Sequence, residues 1–412
     1  MKIRYIVLLF TLFVPVAQVM AVDPVWTAPG SSPVVITADG GYVLGDGGIF
    51  SQYNAKGEIV WRGYGGSAIQ ARGGEIFSSL KITRDGMYSI LGTNGGLLYI
   101  DRTQRIFWQD SQYRPIQDIS LSPDENFVAS VADGRVSVYT RGGELVWRND
   151  TYPDVQYVGV SPGGLLTVAG SPDTIHAYNQ SGFELWNYTA PGIGEIIVSP
   201  ENSDIIASSD YTLLSLHPSG NLLWKYYTGS EILDIGISGD GSTIAAGNQG
   251  GQVCLLDANG KLIWSYTAGN WIDAVSLSGD GSLIAAGGID RKIYLFERSG
   301  GLLWDYTAGG QVKSVAISSD GSGLVAGADM VYYFSLRPSS PTGTPTPQAT
   351  SPAQVHTPVP PAPPTPKTVE RTPSPLPSEP IPVETTPESG SESLAFIALC
   401  IGSLCFFRRR VR

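Results

Sequence analysis

A chain of 412 residues with 37 acidic against 26 basic side chains carries a formal charge of −11. That balance argues against nucleic acid as a partner, because phosphate recognition needs a basic face. Three cysteines imply no disulfide framework, and 50 glycines with 29 prolines favour tight turns over helices.

Lys2 and Arg4 precede an apolar run over residues 6–16, and Val19, Met20 and Ala21 form a small-residue cleavage site. Residues 1–21 therefore read as an export signal, which places the rest of the chain outside the cytoplasm.

From there tryptophan recurs at nearly even intervals, at Trp26, Trp61, Trp108, Trp147, Trp186, Trp224, Trp264 and Trp304. A fixed period of this size marks one supersecondary unit that cannot bury its own apolar face and needs neighbours on both sides. Residues 272–304 show the unit best. An alternating run through Ala274, Val275, Ser276 and Leu277 meets a turn at Gly279, Asp280 and Gly281. Three further short runs follow, separated by turns at 288–290 and 298–300, and the last ends at Trp304. Four strands bounded by Gly, Asp and Ser make each unit an antiparallel blade, with no sustained helical period. Each Trp is expected to end its strand and fill the gap between two twisted sheets. In six units Gly stands four residues earlier, at Gly57, Gly143, Gly182, Gly220, Gly260 and Gly300, where it permits φ > 0 and close approach of the next blade. Gln104 and Val22 break that pattern, so their blades should turn differently.

Seven Trp-to-Trp intervals give seven units, and residues 312–336 supply three more strands without a closing Trp strand. Pairing them with Asp23, Pro24, Val25 and Trp26 closes an all-β, eight-bladed propeller over residues 22–337 and removes its free edges. Seven blades are the alternative if the first interval is degenerate.

Several residues inside the ring are candidates for chemistry. Asp85, Asp240, Asp280 and Asp320, each before a Gly, could suggest calcium, but all fall in the same inter-strand turn, where Asp caps its own backbone. Asp118, Glu195 and Asp234 share one column at the start of the first strand, with Asp273 one position earlier. First strands line a propeller's axis, so these four form a possible acidic ring at one channel mouth, weighed against plain solvated rim charge. Asn149, Asn179 and Asn187 each open an Asn-x-Ser/Thr acceptor motif near blade connections. No metal site is expected, since His176, His217 and His356 are scattered over two units and the region beyond. Cys254 stands alone among apolar neighbours.

Residues 338–392 are almost entirely Pro, Thr, Ser, Ala, Val and Glu, a composition that buries no core and favours an extended, disordered stalk. The final segment, 393–412, holds an apolar run over 394–407 and then Arg408, Arg409, Arg410 and Arg412. That run is a short helix, below the roughly 20 residues of a comfortable span, and its basic end would hold the tail inside with the propeller outside.

The units ending Asp257, Ala258, Asn259, Gly260, Lys261, Leu262, Ile263, Trp264 resemble the repeat of pyrroloquinoline-quinone-like propellers, and their front halves, with Ser-Gly-Asp-Gly-Ser turns, resemble WD40-type repeats. The resemblance implies the propeller fold and Gly–Trp docking between blades. It departs in two places. Trp304-Asp305 lies at the start of a linker, away from the WD40 position at Phe296-Glu297 or Leu256-Asp257, and the adjacent cysteine pair of quinone-dependent relatives is absent. The tail, with residues 386–390 at the motif position, resembles the tripartite sorting signals of microbial, notably archaeal, surface proteins. The expectation is a monomeric, non-enzymatic binding or display module without a cofactor, anchored at the cell surface through its tail, its partner an unidentified protein or carbohydrate. A structural envelope component is the alternative, and a quinone-type oxidoreductase the third reading.

Overall fold

The computed structural model describes residues 22–46, 50–63, 79–103, 105–111, 114–150 and 152–336. The export signal, Gln104, Thr151, His356, the stalk and the tail lie outside them. Among the described residues the chain forms eight four-stranded antiparallel sheets, and its one helical turn is the 3₁₀ segment Pro162–Gly164. The first strands of successive blades pack side by side around the axis. For blades 1 to 4 they are Val34–Ile36, Ser79–Ile82, Ile116–Leu121 and Tyr157–Val160, and for blades 5 to 8 Ile193–Val198, Ile232–Ile237, Ile272–Leu277 and Ser314–Ile317. The seven-blade alternative fails because the first Trp interval holds a full sheet, from Val34–Ile36 to Ile59–Gly63.

Blade 8 is a composite. Its outermost strand is the N-terminal Trp26–Pro29, paired with Met330–Ser335 in the register Trp26 to Tyr333. The strand begins at Trp26 rather than Asp23, although the Val25 amide still donates to the Tyr333 carbonyl at 2.8 Å. Pro24 has no N–H to extend the ladder.

Hydrophobic stabilisation is distributed, with a separate apolar cluster in each of the eight interfaces between blades. A second strand such as Thr243–Asn248 is buried along its whole length because neighbouring blades cover both faces. Small residues there set the spacing: a Cβ on Gly287 would sit 2.3 Å from Val312 of the next blade.

Each outermost strand runs two or three residues past its Trp, as in Ile59–Gly63 and Leu262–Thr267. The Trp therefore does not end the strand; in blades 4, 6 and 7 the Trp-x-Tyr-Thr alternation continues the pleat. Asp305 accordingly lies within a strand, not in a linker. Where a turn Gly precedes the Trp, as in six blades, it receives the indole of the blade before. Gly220 has φ +86°, and a Cβ there would lie 2.7 Å from the Trp186 ring. The Trp186 indole N–H donates to the Pro218 carbonyl in the same turn at 2.8 Å. Trp26, Trp108, Trp224 and Trp264 bond to the equivalent carbonyls of Ala55, Arg141, Ala258 and Arg298. Trp147 packs on Gly182, but its buried indole nitrogen lacks an acceptor. Trp61, which faces the blade that lacks the turn Gly, donates to Gln52 at 2.6 Å, and Trp304 packs on Phe334.

Candidate binding site at the channel mouth

A hydroxyl recurs at the end of every first strand, at Thr37, Thr83, Ser122, Ser161, Ser199, Ser238, Ser278 and Ser318, and all eight are buried. Ser238 shows why. Its hydroxyl donates to Asp240 at 2.6 Å and accepts from the Thr243 amide at 3.1 Å, while Asp240 accepts from the Ser242 amide at 2.9 Å. Asp85, Asp280 and Asp320 sit in the same arrangement, so the Asp-Gly carboxylates hold turns.

Four residues before that hydroxyl lies the column that opens the first strands, occupied in blades 2 to 8 by Ser79, Asp118, Tyr157, Glu195, Asp234, Ala274 and Ser314. The structure brings Asp118, Tyr157, Glu195 and Asp234 together with Lys81 around a cavity of about 800 Å³. Asp273 does not line it.

The three carboxyl groups reach across blade boundaries and are not solvated rim charges. Asp118 accepts from the Val158 amide of blade 4 at 3.0 Å, and Glu195 from the Ile235 amide of blade 6 at 3.0 Å. Asp234 accepts from the Val275 amide of blade 7 at 2.6 Å. Burial in the channel wall pushes the Asp118 carboxyl up to about 6; Glu195 adds to the rise, while Lys81 and the amides of Val158 and Ile119 oppose it. Asp234 is raised well above the usual carboxylate range, first by burial and then by the charge of Glu195 and a hydrogen bond to it. Burial and the neighbouring Asp118 and Glu195 also raise the Tyr157 phenol. The wall can offer a cationic group three carboxyl groups beside a phenol.

A second cleft, of about 320 Å³, opens between Tyr152 in the link to blade 4 and the Ser171–Thr174 turn. His176 stacks on Tyr152 with ring centroids 3.7 Å apart, and its Nδ1 lies 3.0 Å from Glu184. The Tyr152 hydroxyl donates to the same carboxylate at 2.7 Å. Sequence reading missed this cluster because its members belong to no repeating column.

The acceptor asparagines are spread over two blades. Asn149 and Asn179 are half-buried and Asn187 is exposed, on the outermost strand of blade 4. Cys254 is buried in blade 6, and His217 caps a turn through the Ser219 amide.

Solved propellers share the fold. The Chaetomium thermophilum Sqt1 bound to the N-terminus of ribosomal protein L10 superposes with a TM-score of 0.64 at 17% identity, over 76% of this chain and 100% of that one. The C-terminal WD40 domain of Sif2 gives a TM-score of 0.65 at 14% identity, over 78% and 100%. No curated protein sequence matches. The family model described as outer membrane protein assembly factor BamB matches residues 132–270 and 209–337. Those overlapping matches take in half of the chain, and the protein belongs to this family of PQQ-like repeat propellers.

Proposed function

We propose that this propeller is an extracellular binding module, held at the cell surface by its C-terminal tail, which receives a cationic segment of a partner in the acidic channel mouth. One observation carries the reading: Asp118, Glu195 and Asp234 converge with Tyr157 on a single cavity of about 800 Å³. Carboxyls with raised pKa values grouped in a concavity are a physical signature of a functional site. The Sqt1 propeller, solved with a peptide terminus bound, supports a peptide as occupant. Export and attachment rest on the charged, apolar and small-residue pattern of 1–21 and on the apolar and arginine runs after the stalk.

The module works without catalysis. A quinone cofactor does not suit the cavity, because a ligand bearing carboxylates would face Asp118, Glu195 and Asp234 with Lys81 as the one cation in the lining. The carboxyls are assigned to recognition.

The test is fluorescence anisotropy of a labelled oligolysine peptide against the full chain at low salt, beside an oligoglutamate control. Binding to the wild type that falls at least about tenfold in Glu195→Gln, equivalent to about 1.4 kcal/mol, is expected. Equal affinity for wild type and variant would sink the assignment. Shaving intact cells with protease tests exposure separately.

A further inference from the structure

Of the three acceptor motifs, one holds a turn, one lies on a covered strand face and one is open to solvent. Asn179 occupies the column that closes the turn between third and fourth strands. Its Oδ1 accepts from the amides of Ser181 at 2.9 Å and Phe183 at 3.0 Å. Asn54 does the same for Lys56 and Glu58, Asp101 for Thr103 and Arg105, and Asp257 for Asn259 and Lys261. A side-chain acceptor recurs at that position, with Thr140 and His217 taking the role in blades 3 and 5. Asn149 stands two residues after Trp147, on the strand face that Trp147 buries, where the next four blades carry Tyr188, Tyr226, Tyr266 and Tyr306.

Asn187 differs on both counts. Its column holds Arg62, Gln109, Arg148, Lys225, Ser265 and Asp305 in other blades, so nothing in the fold demands Asn. The outermost strand Glu184–Thr189 alternates exposed and half-buried residues, which puts Leu185, Asn187 and Thr189 together on its exposed face. Asparagine and threonine of one acceptor motif thus point the same way by the two-residue period of the strand. The sheet order ends at this strand, so no neighbour covers its outer edge. The Asn187 side chain hydrogen-bonds to Glu184 at the start of the same strand. Beside it lie Phe183 and Leu185, 72% and 53% exposed.

We propose that Asn187 is an N-glycosylation site, and the one among the three motifs that is used. The donor is an oligosaccharide linked to a membrane polyprenyl diphosphate. A bond forms between Asn187 Nδ2 and the sugar C1 as the C1–O bond to the diphosphate breaks; the amide loses one proton and the lipid diphosphate leaves. The glycan caps an open sheet edge and screens the apolar pair next to it. This inference rests on the reading of the chain as exported.

The experiment uses the full chain purified from the cells that make it. Glycopeptide mass spectrometry after chymotrypsin is expected to find a sugar mass on Asn187 and none on Asn179. Thr189→Ser should keep that mass and Thr189→Ala should remove it with Asn187 still in place. Asn179→Gln should leave it unchanged. The amino terminus of the same sample and its cleavage by protease added to intact cells report export. A bare Asn187 on an exported chain overturns the site alone. A chain that keeps residues 1–21 and resists external protease overturns the export reading and the site together.

Discussion

Replacing Trp26 by Ala should weaken the composite blade in which the two ends of the ring meet. Trp26 stacks on Tyr333 within its own blade at 5.1 Å and 8°, lies 5.3 Å from Tyr53 of blade 1, and donates its indole N–H to Ala55 at 3.1 Å. Aromatic pairs contribute about 1 kcal/mol each beyond area. A net hydrogen bond adds about 1 kcal/mol. Truncation of a half-buried ring therefore costs about 3 kcal/mol in total, at the low end of the range for buried aromatics. In a domain of this size about 2 °C of melting temperature goes with each kcal/mol, so Tm should fall by about 6 °C. Thermal unfolding followed by near-ultraviolet circular dichroism measures this, with limited proteolysis near residues 330–336 as a local readout. Val25→Ala is the control, since Val25 is 57% exposed and contributes mainly its backbone amide. A shift below about 1 °C in Trp26→Ala, or an equal shift in Val25→Ala, would refute the closure argument.

Two further outcomes follow from named contacts. Burial raises Asp118 from 3.8 to about 6, so the charged form is disfavoured in the fold; the penalty is complete above pH 6 and relieved as pH falls through that value toward 4. Asp118→Asn should thus be more stable than wild type at pH 7, by about 1–2 kcal/mol after allowance for channel water, with the gap closing near pH 4.5; parallel melting curves across that range would contradict it. Gly220 and Gly229 have nearly equal φ, +86° and +84°, but a Cβ on Gly220 meets Trp186 at 2.7 Å and one on Gly229 meets nothing within 4 Å. Gly229→Ala should cost only the left-handed strain, about 1 kcal/mol, and Gly220→Ala at least about 1 kcal/mol more; equal losses by urea unfolding would show that conformation, not packing, makes the turn glycine necessary.

Blade number and closure were legible because the Trp column is periodic and large aromatics leave few places to go. The acidic column was legible by position, since a residue's place in a first strand fixes which way it faces along the axis. Its reach into the next blade was not, because which amide a carboxylate finds depends on the spacing between sheets, and sequence does not display it. The buried hydroxyl column, Ser or Thr in all eight blades, was not legible, because Ser and Thr beside Gly and Asp are ordinary turn composition and burial does not show in sequence. The Tyr152–His176–Glu184 cluster had no sequence signal, since a link, a third strand and a fourth strand supply one member each.

The charge of the channel column has no structural necessity, which is why it bears on function. The bond from a first-strand side chain to the next blade's amide is also made by hydroxyls. Ser79 accepts from Ile119 at 3.2 Å, Ser120 from Val160 at 3.2 Å and Ser276 from Ile317 at 3.1 Å. A serine makes this bond without desolvating an ionised group, whereas a carboxylate in the same wall must either lose hydration or take up a proton. Asp118 is shifted by that penalty, and Asp234 more so with Glu195 beside it. Asp118 and Asp234 are therefore worse for the fold than the serine found elsewhere in the ring. Groups that oppose stability in this way cluster where a protein binds or reacts. The three carboxyls also lie on adjacent parts of one wall, blades 3, 5 and 6 with Tyr157 of blade 4 between, rather than evenly around the axis. A contiguous arc fits a ligand that approaches from one side, such as a cationic chain segment laid across the mouth, better than an ion centred on the channel.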